Sequence, residues 1–269
     1  MKFIAATSFT LAALFSVAAF AQSARPSDKQ VQTLIEQTQK SEADFDRALD
    51  PTLKKAIVRG PSGEVMVSIF LQDFKTDIER MKERFDPKYA ASAELVMIMK
   101  RAEGLDKFID SQPASLKGRS EWDTFTASLN ELAGAYGTTF PLKPDSPPRR
   151  MNDLEIQQAT ESAVTNGQAL RKSLSTIYGK EDKDGIKAAE AQIDEMTKAA
   201  KGLKARVDES KPASGEAVVF TEAAAKVQTA IGERTLTADA QTAADGLKAS
   251  ASKVEQAFGM QKKDLAAQD

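Results

Sequence analysis

Cysteine and histidine are both absent from the 269 residues, and together these absences remove more chemistry than any other feature of the composition. Without them there is no ordinary zinc, copper or haem site. The Ser–His and Cys–His nucleophile pairs are excluded as well, and so is the usual proton shuttle near neutral pH. Only carboxylate, lysine or tyrosine chemistry remains open to a catalyst. The expectation is therefore a protein that is not an enzyme, with no catalytic residue, no cofactor-binding residue and no metal ligand. An excess of one charge is also missing: 37 Lys and Arg against 39 Asp and Glu leave a net charge of −2. No basic face is implied, so neither nucleic acid nor an anionic membrane surface is an expected partner.

Long hydrophobic runs are missing everywhere except at the start. The opening "MKFIAATSFTLAALFSVAAFAQ" sets one Lys before an apolar run, then small residues at Ala19 and Ala21 around Phe20. That order is a secretory signal peptide over residues 1–21, cleaved after Ala21. The rival reading is an uncleaved anchor, but the run is about 18 residues and is diluted by Thr7, Ser8, Thr10 and Ser16, short of the ~20 that span a bilayer. No stable membrane insertion is expected after cleavage, and the product should be exported, either periplasmic or secreted. Removing residues 1–21 takes away only Lys2, so the net charge moves from −2 to −3 and 269 − 21 = 248 residues remain. That length is long for one helical domain and comfortable for two.

What is present is helical period. Ser27 and Gln30 have the spacing of a capping box, so a helix starts there and carries Val31, Leu34, Thr38, Phe45 and Leu49. A second follows "GPSGE" (60–64), which lacks the Lys and the strand–helix setting of a phosphate loop and reads as a turn. Its Val67, Phe70, Phe74, Ile78, Met81 and Phe85 step by three and four along one face, wide enough to face a core. The "FDPK" that follows ends it, because a residue before Pro is pushed out of the helical region. A third helix holds Leu95, Ile98, Ala102, Leu105 and Ile109. A fourth, with Ser115 as its expected cap, holds Trp122, Phe125, Leu129, Leu132 and Tyr136 in the seam pattern of a coiled-coil-like bundle. Gly137 suits a left-handed stop. Four prolines between 141 and 148 then make residues 138–150 a Pro-rich, semi-extended linker.

The second half repeats the plan. Asn152 and Glu155 form a start box, and helices run to "IYG" (177–179), to "LKARVD" (203–208), after "ESKPASGE" and to "AFG" (257–259), with 261–269 expected to fray. Shifting by 122 residues pairs "MKERFD" (81–86) with "LKARVD". The same gap-free shift pairs Ser92 with Ser214, Glu94 with Glu216, Val96 with Val218, Ile109 with Ile231 and Asp123 with Asp245. It also pairs Phe125 with Leu247, Leu132 with Val254, Tyr136 with Phe258, Gly137 with Gly259 and the caps Ser115 and Thr237. Before residue 64 the offset loosens. Loops, caps and seams falling in register together point to a tandem duplication. The copies differ in bulk: beyond 150 the only large aromatics are Phe220, Phe258 and Tyr178, with Ala244 where the first copy has Trp122. The first bundle should be the more stable, and the second should have closer, longer helices and a thinner core.

Local motifs give less. "KEDKDG" (180–185) resembles a calcium loop at Asp182, Asp184 and Gly185, but Lys180 and Ala191 stand where carboxylates are required, so it reads as a turn. Trp122, between Glu121 and Asp123, reads as a core anchor and not as a sugar or cation site. "DIERMKERFD" reads as a solvated face on which Arg80–Glu83 and Lys82–Asp86 can pair. In "PDSPPRR", Arg149 and Arg150 are open to a protease or an acidic partner, although a plain linker accounts for them.

The stretch "RSEWDTFTASLNELAGAYG" (119–137), together with "KERFD" (82–86), resembles a group of uncharacterised exported α-helical proteins from soil-type Gram-negative bacteria. The resemblance covers mainly residues 28–137 and implies a signal peptide and the same last helix, with no reaction and no functional residues to carry over. The expected architecture is all-α, with two tandem antiparallel bundles of about four helices each at 22–137 and 151–260. The expected function is binding of another envelope macromolecule, an unidentified protein, through helix faces. The alternative is a periplasmic carrier or chaperone-like binder of an apolar ligand or unfolded chain.

Overall fold

The computed structural model describes residues 25–60, 63–232 and 234–260. The expected signal peptide (1–21) and frayed tail (261–269) lie outside the described residues. The chain within them is all-α apart from one small hairpin, with eight helices.

Helix α1 (Asp28–Ala48) starts on the expected capping box: Ser27 Oγ accepts from Gln30 N, and Gln30 Oε1 accepts from Ser27 N. After it a short 3-10 turn, Leu53–Lys55, leads into strands β1 (Ile57–Gly60) and β2 (Gly63–Met66). They pair antiparallel with Ile57 opposite Met66 and Val58 opposite Val65. Val58 is buried while Ile57 and Met66 face solvent. The expected turn at "GPSGE" (60–64) is corrected: Gly60 ends β1 and Gly63 and Glu64 begin β2, strands that were not expected. Four residues each, with Arg59 across from Glu64, are too few to display a period of two.

Helix α2 (Val67–Arg84) buries the whole expected stripe, and Phe85 closes it with its N–H on Met81 O. In α3 (Ser92–Asp110) the five expected seam residues are buried, as are those of α4 (Arg119–Gly134) with Tyr136 just beyond it. The expected cap at Ser115 is corrected. Gly118 is the N-cap of α4, with φ 99°, and Ser115 is an exposed residue of the preceding turns. Only glycine fits there: a Cβ on Gly118 would meet the Leu49 backbone at 3.1 and 3.2 Å, besides the positive φ. The α4 N-terminus thus rests on the end of α1, three residues past the serine.

Helices α1–α4 enclose one core, in which each packs on the next and α4 closes on α1. Its centre is aromatic. Trp122 lies 5.0 Å from Phe45 and 5.1 Å from Phe125, and Phe125 meets Phe74 edge-on at 5.2 Å. Trp122 Nε1 donates to Asp106 Oδ1 at 2.8 Å, and Tyr136 Oη donates to Ala90 O at 2.6 Å. Both polar tips of these buried rings are therefore satisfied, and burial raises the Tyr136 phenol further above its ordinary pKa.

The segment 138–152 has no regular structure but is not free. Phe140 and Leu142 pack on the first core, and Leu142 N donates to Glu103 Oε1. Helix α5 (Asp153–Tyr178) starts on the expected Asn152–Glu155 box. Asp182 then caps α6 (Lys183–Asp208) by accepting from Gly185 N at 2.9 Å, so the calcium-like loop is a helix start. Helices α7 (Ser214–Gly232) and α8 (Ala238–Ala257) complete a second core, with Thr237 capping α8 as expected. Contacts again run α5–α6, α6–α7, α7–α8 and α8–α5. Helices α5 and α6 have 26 residues each against 21 and 18 for α1 and α2, which the 3-10 turn and the two strands separate.

Candidate functional site

Side chains from distant elements converge at two kinds of place, beginning with the junction between the two helical groups. Arg25 donates from Nη1 to Asp153 Oδ1 (2.6 Å) and from Nη2 to Met151 O (2.5 Å). Arg150 donates from Nη2 to Asp28 Oδ1 (2.7 Å) and to Pro26 O (2.8 Å). The first residues of α1 and α5 then exchange backbone bonds: Asp28 N donates to Asp153 Oδ2 (2.9 Å), and Asp153 N to Asp28 Oδ2 (2.8 Å). Each carboxylate thereby satisfies a free N–H at the positive end of the opposite helix. The arginine side chains are 8% and 1% exposed, and Arg25 also lies over the Phe258 ring, 5.8 Å from its centroid. Burial lowers the Arg25 pKa, as does the nearby Arg150 cation, while Asp153 and Asp28 oppose the shift.

The expectation of an open Arg150 is corrected, since its guanidinium is spent inside the molecule; Arg149 beside it is exposed. A cleft of about 590 Å³ runs along this junction, lined among others by Ser92, Arg149, Gln256 and Gly259. Its two buried arginines are already paired, and of the remaining lining, drawn mainly from the ends of α4 and α8, only the exposed Arg149 is charged. The junction is a clasp.

The second kind of place is the groove between paired helices. Between α2 and α3 it is nearly filled, leaving about 210 Å³ lined by Asp77, Arg80, Arg84, Ala93, Glu94 and Met97. Arg101 crosses its floor, donating from Nε to Asp77 Oδ2 at 2.8 Å and lying over Phe70 at 5.5 Å. The expected solvated face is thus corrected at Asp77, which is buried. Arg80 pairs with Asp77 at 3.3 Å and Lys82 with Glu36 at 3.4 Å, in place of the expected Glu83 and Asp86.

Between α6 and α7 the side chains are small. The positions 122 residues after Asp77, Arg80, Ala93 and Arg101 are Ala199, Gly202, Gly215 and Ala223. Each groove has an ion pair at its end, Arg84–Glu94 at 2.5 Å and Arg206–Glu216 at 2.8 Å. The result is a groove of about 580 Å³ with small residues along its walls. Val219 of α7 lines it and stands 57% exposed. Its rim carries Glu195, Lys198, Glu222 and Lys226. Such a surface binds by apolar contact and shape; its charged groups lie on the edges, where they orient an occupant and do not attack it.

None of these groove residues was expected to form a site; Glu216 entered only as the 122-residue counterpart of Glu94. The signal was present in the 122-residue register, read for what it loses and not for what it keeps. Among the described residues no group of acidic side chains is arranged to hold a metal ion, and no helix is long and apolar enough to cross a membrane. No protein-family model, no curated protein and no solved structure matches the chain.

Proposed function

We propose that this is an exported, non-catalytic binding protein that engages another macromolecule of the cell envelope through its helix faces. The observation that carries the reading is the open α6/α7 groove, with exposed Val219 beside walls of Ala and Gly. Isolated apolar residues on a surface need no explanation, whereas an exposed valine on the lip of a hollow between two helices fits helix-in-groove recognition. The export half of the proposal comes from the opening residues, and the non-catalytic half from the missing His and Cys. Pull-down from an envelope extract should recover one stoichiometric protein. Val219→Glu should lose it, and equal recovery by this variant removes the groove from the function.

The same proposal includes a tandem duplication. Three geometries support it. Gly137 and Gly259 have φ 69° and 65° and end α4 and α8 with matching bonds, Thr138 N to Ala133 O and Met260 N to Glu255 O. Arg84–Glu94 and Arg206–Glu216 repeat at the same offset. The clasp is reciprocal, with R-P-S-D (25–28) and R-M-N-D (150–153) each gripping the other. On this view the first copy supplies stability and the second has been hollowed out for binding.

A second reading, a carrier of an apolar ligand, is favoured by the groove's volume, which suits a lipid-sized molecule. A dye such as ANS should then bind the native protein and be displaced by lipid.

A further inference from the structure

We propose that the α6/α7 groove is filled by the same surface of a second copy of this chain, the two being related by a twofold axis. The inference rests on the reading of this groove as the binding face and names its occupant. A twofold contact requires one surface to hold both members of each matching pair, and this surface does. Val219 stands out from α7, 57% exposed, and the hollow beside it is walled by Ala199, Gly202, Gly215 and Ala223. Room for an incoming side chain is real: a Cβ added at Gly202 or Gly215 would meet nothing within 4 Å.

The rim decides between occupants. Lys198 and Lys226 stand with Glu195, Glu216 and Glu222 around one hollow. An acidic peptide or an anionic amphiphile calls for a rim of one sign, whereas a mixed rim is answered by its own rotated image. The order along α7 gives the register. If α7 crosses its copy antiparallel at the level of Thr221, Val219 of each chain meets Ala223 of the other. Lys226 of each meets Glu216 of the other, because each of these pairs is equidistant from Thr221 along the helix; Lys226 would exchange its 3.9 Å contact with Glu195 for this one, and Glu216 would keep Arg206 as well. The corresponding face of α2 and α3 cannot compete, since Arg80, Asp77 and Arg101 fill it.

The test is the mass of the purified protein in solution, by light scattering from about 1 to about 100 μM. A dimer is expected. Gly202→Leu fills the hollow and Val219→Glu sets an unpaired charge in it, and each should weaken dimerisation at least about tenfold with helical circular dichroism unchanged. Met97→Glu, at the corresponding place on α3, should leave it unaltered. The chain has no cysteine, so a mixture of Glu216→Cys and Lys226→Cys proteins should form an interchain disulfide that neither forms alone.

A monomer at every concentration, or a dimer indifferent to both groove variants, overturns the inference. A monomer that binds an acyl probe saturably overturns it in favour of the carrier. Should a monomer's Val219→Glu variant lose a captured envelope protein, only the occupant is wrong and the groove still serves binding. Should its groove variants keep every interaction of the parent, the binding-face reading falls as well.

Discussion

At Trp122 packing and hydrogen bonding meet in one side chain. Its ring touches Phe45 and Phe125, and its N–H is the partner of Asp106. Trp122→Ala would leave both a cavity and an unpaired carboxylate, and should cost ~3–5 kcal/mol, read from the denaturation midpoint. An unchanged midpoint would mean that the ring is not a core anchor. Glu42 presents the opposite case, a carboxyl that burial makes unwelcome. It is 2% exposed on α1. Burial first, then Asp46, push it up to about 7, with Lys75 of α2 opposing and Glu79 adding. Its ordinary value is 4.5, so the folded state holds this proton more tightly than the unfolded chain. The stability from that proton is fully present below 4.5 and is lost as pH rises through about 7. The loss is on the order of 3 kcal/mol at most. Glu42→Gln should thus be more stable than the parent at about pH 8 and nearly equal to it at about pH 4, as urea midpoints would show. Neither Glu42 nor Asp77 could be recognised as buried from sequence, because a carboxylate within a charged run looks the same whether its neighbours cover it or not.

Helices were the most legible elements, since apolar residues at steps of three and four must face something. All six stripe residues from Val67 to Phe85 and all five from Trp122 to Tyr136 are buried. Starts were legible where a side chain takes a terminal N–H, as Ser27 and Thr237 do as caps and as Glu155 does by accepting from Asn152 N. They were not legible where backbone approach decides, as at Gly118, whose place is fixed by Leu49 some seventy residues earlier in the chain. The clasp escaped notice for a related reason. Its two copies are 125 residues apart, as Arg25 is from Arg150, while the seams repeat at 122. Arg150→Ala would leave Asp28 with only the Asp153 N–H and the longer 3.7 Å contact to Arg25, and would release Pro26 O. A loss of ~3 kcal/mol is expected, with Arg150→Lys a poor rescue because an ammonium lacks the fixed fork of donors. Full stability of Arg150→Ala would show that the exchanged backbone bonds suffice alone.

For the molecule as a whole, the division into two helical groups followed from period and proline, but their difference in use did not. A hollow made of Gly202, Ala199 and Ala223 is a set of missing atoms, and a sequence names only the atoms that are there. In the α2/α3 groove the Arg101–Asp77 pair occupies the space that small residues leave open between α6 and α7. One further consequence follows from the guanidinium of Arg25 lying over Phe258. The first and last described stretches of the chain meet at the clasp, while Pro144 and Asp145 in the middle are exposed. The order in which the halves are strung is therefore incidental to the shape they reach. A permuted gene that joins Met260 to Arg25 through a few residues and opens between Pro144 and Asp145 should encode the same fold, with a stability within about 1 kcal/mol of the parent. Its unfolding midpoint, compared with that of the parent lacking the same flanking residues, would measure how much of the tether is needed at all.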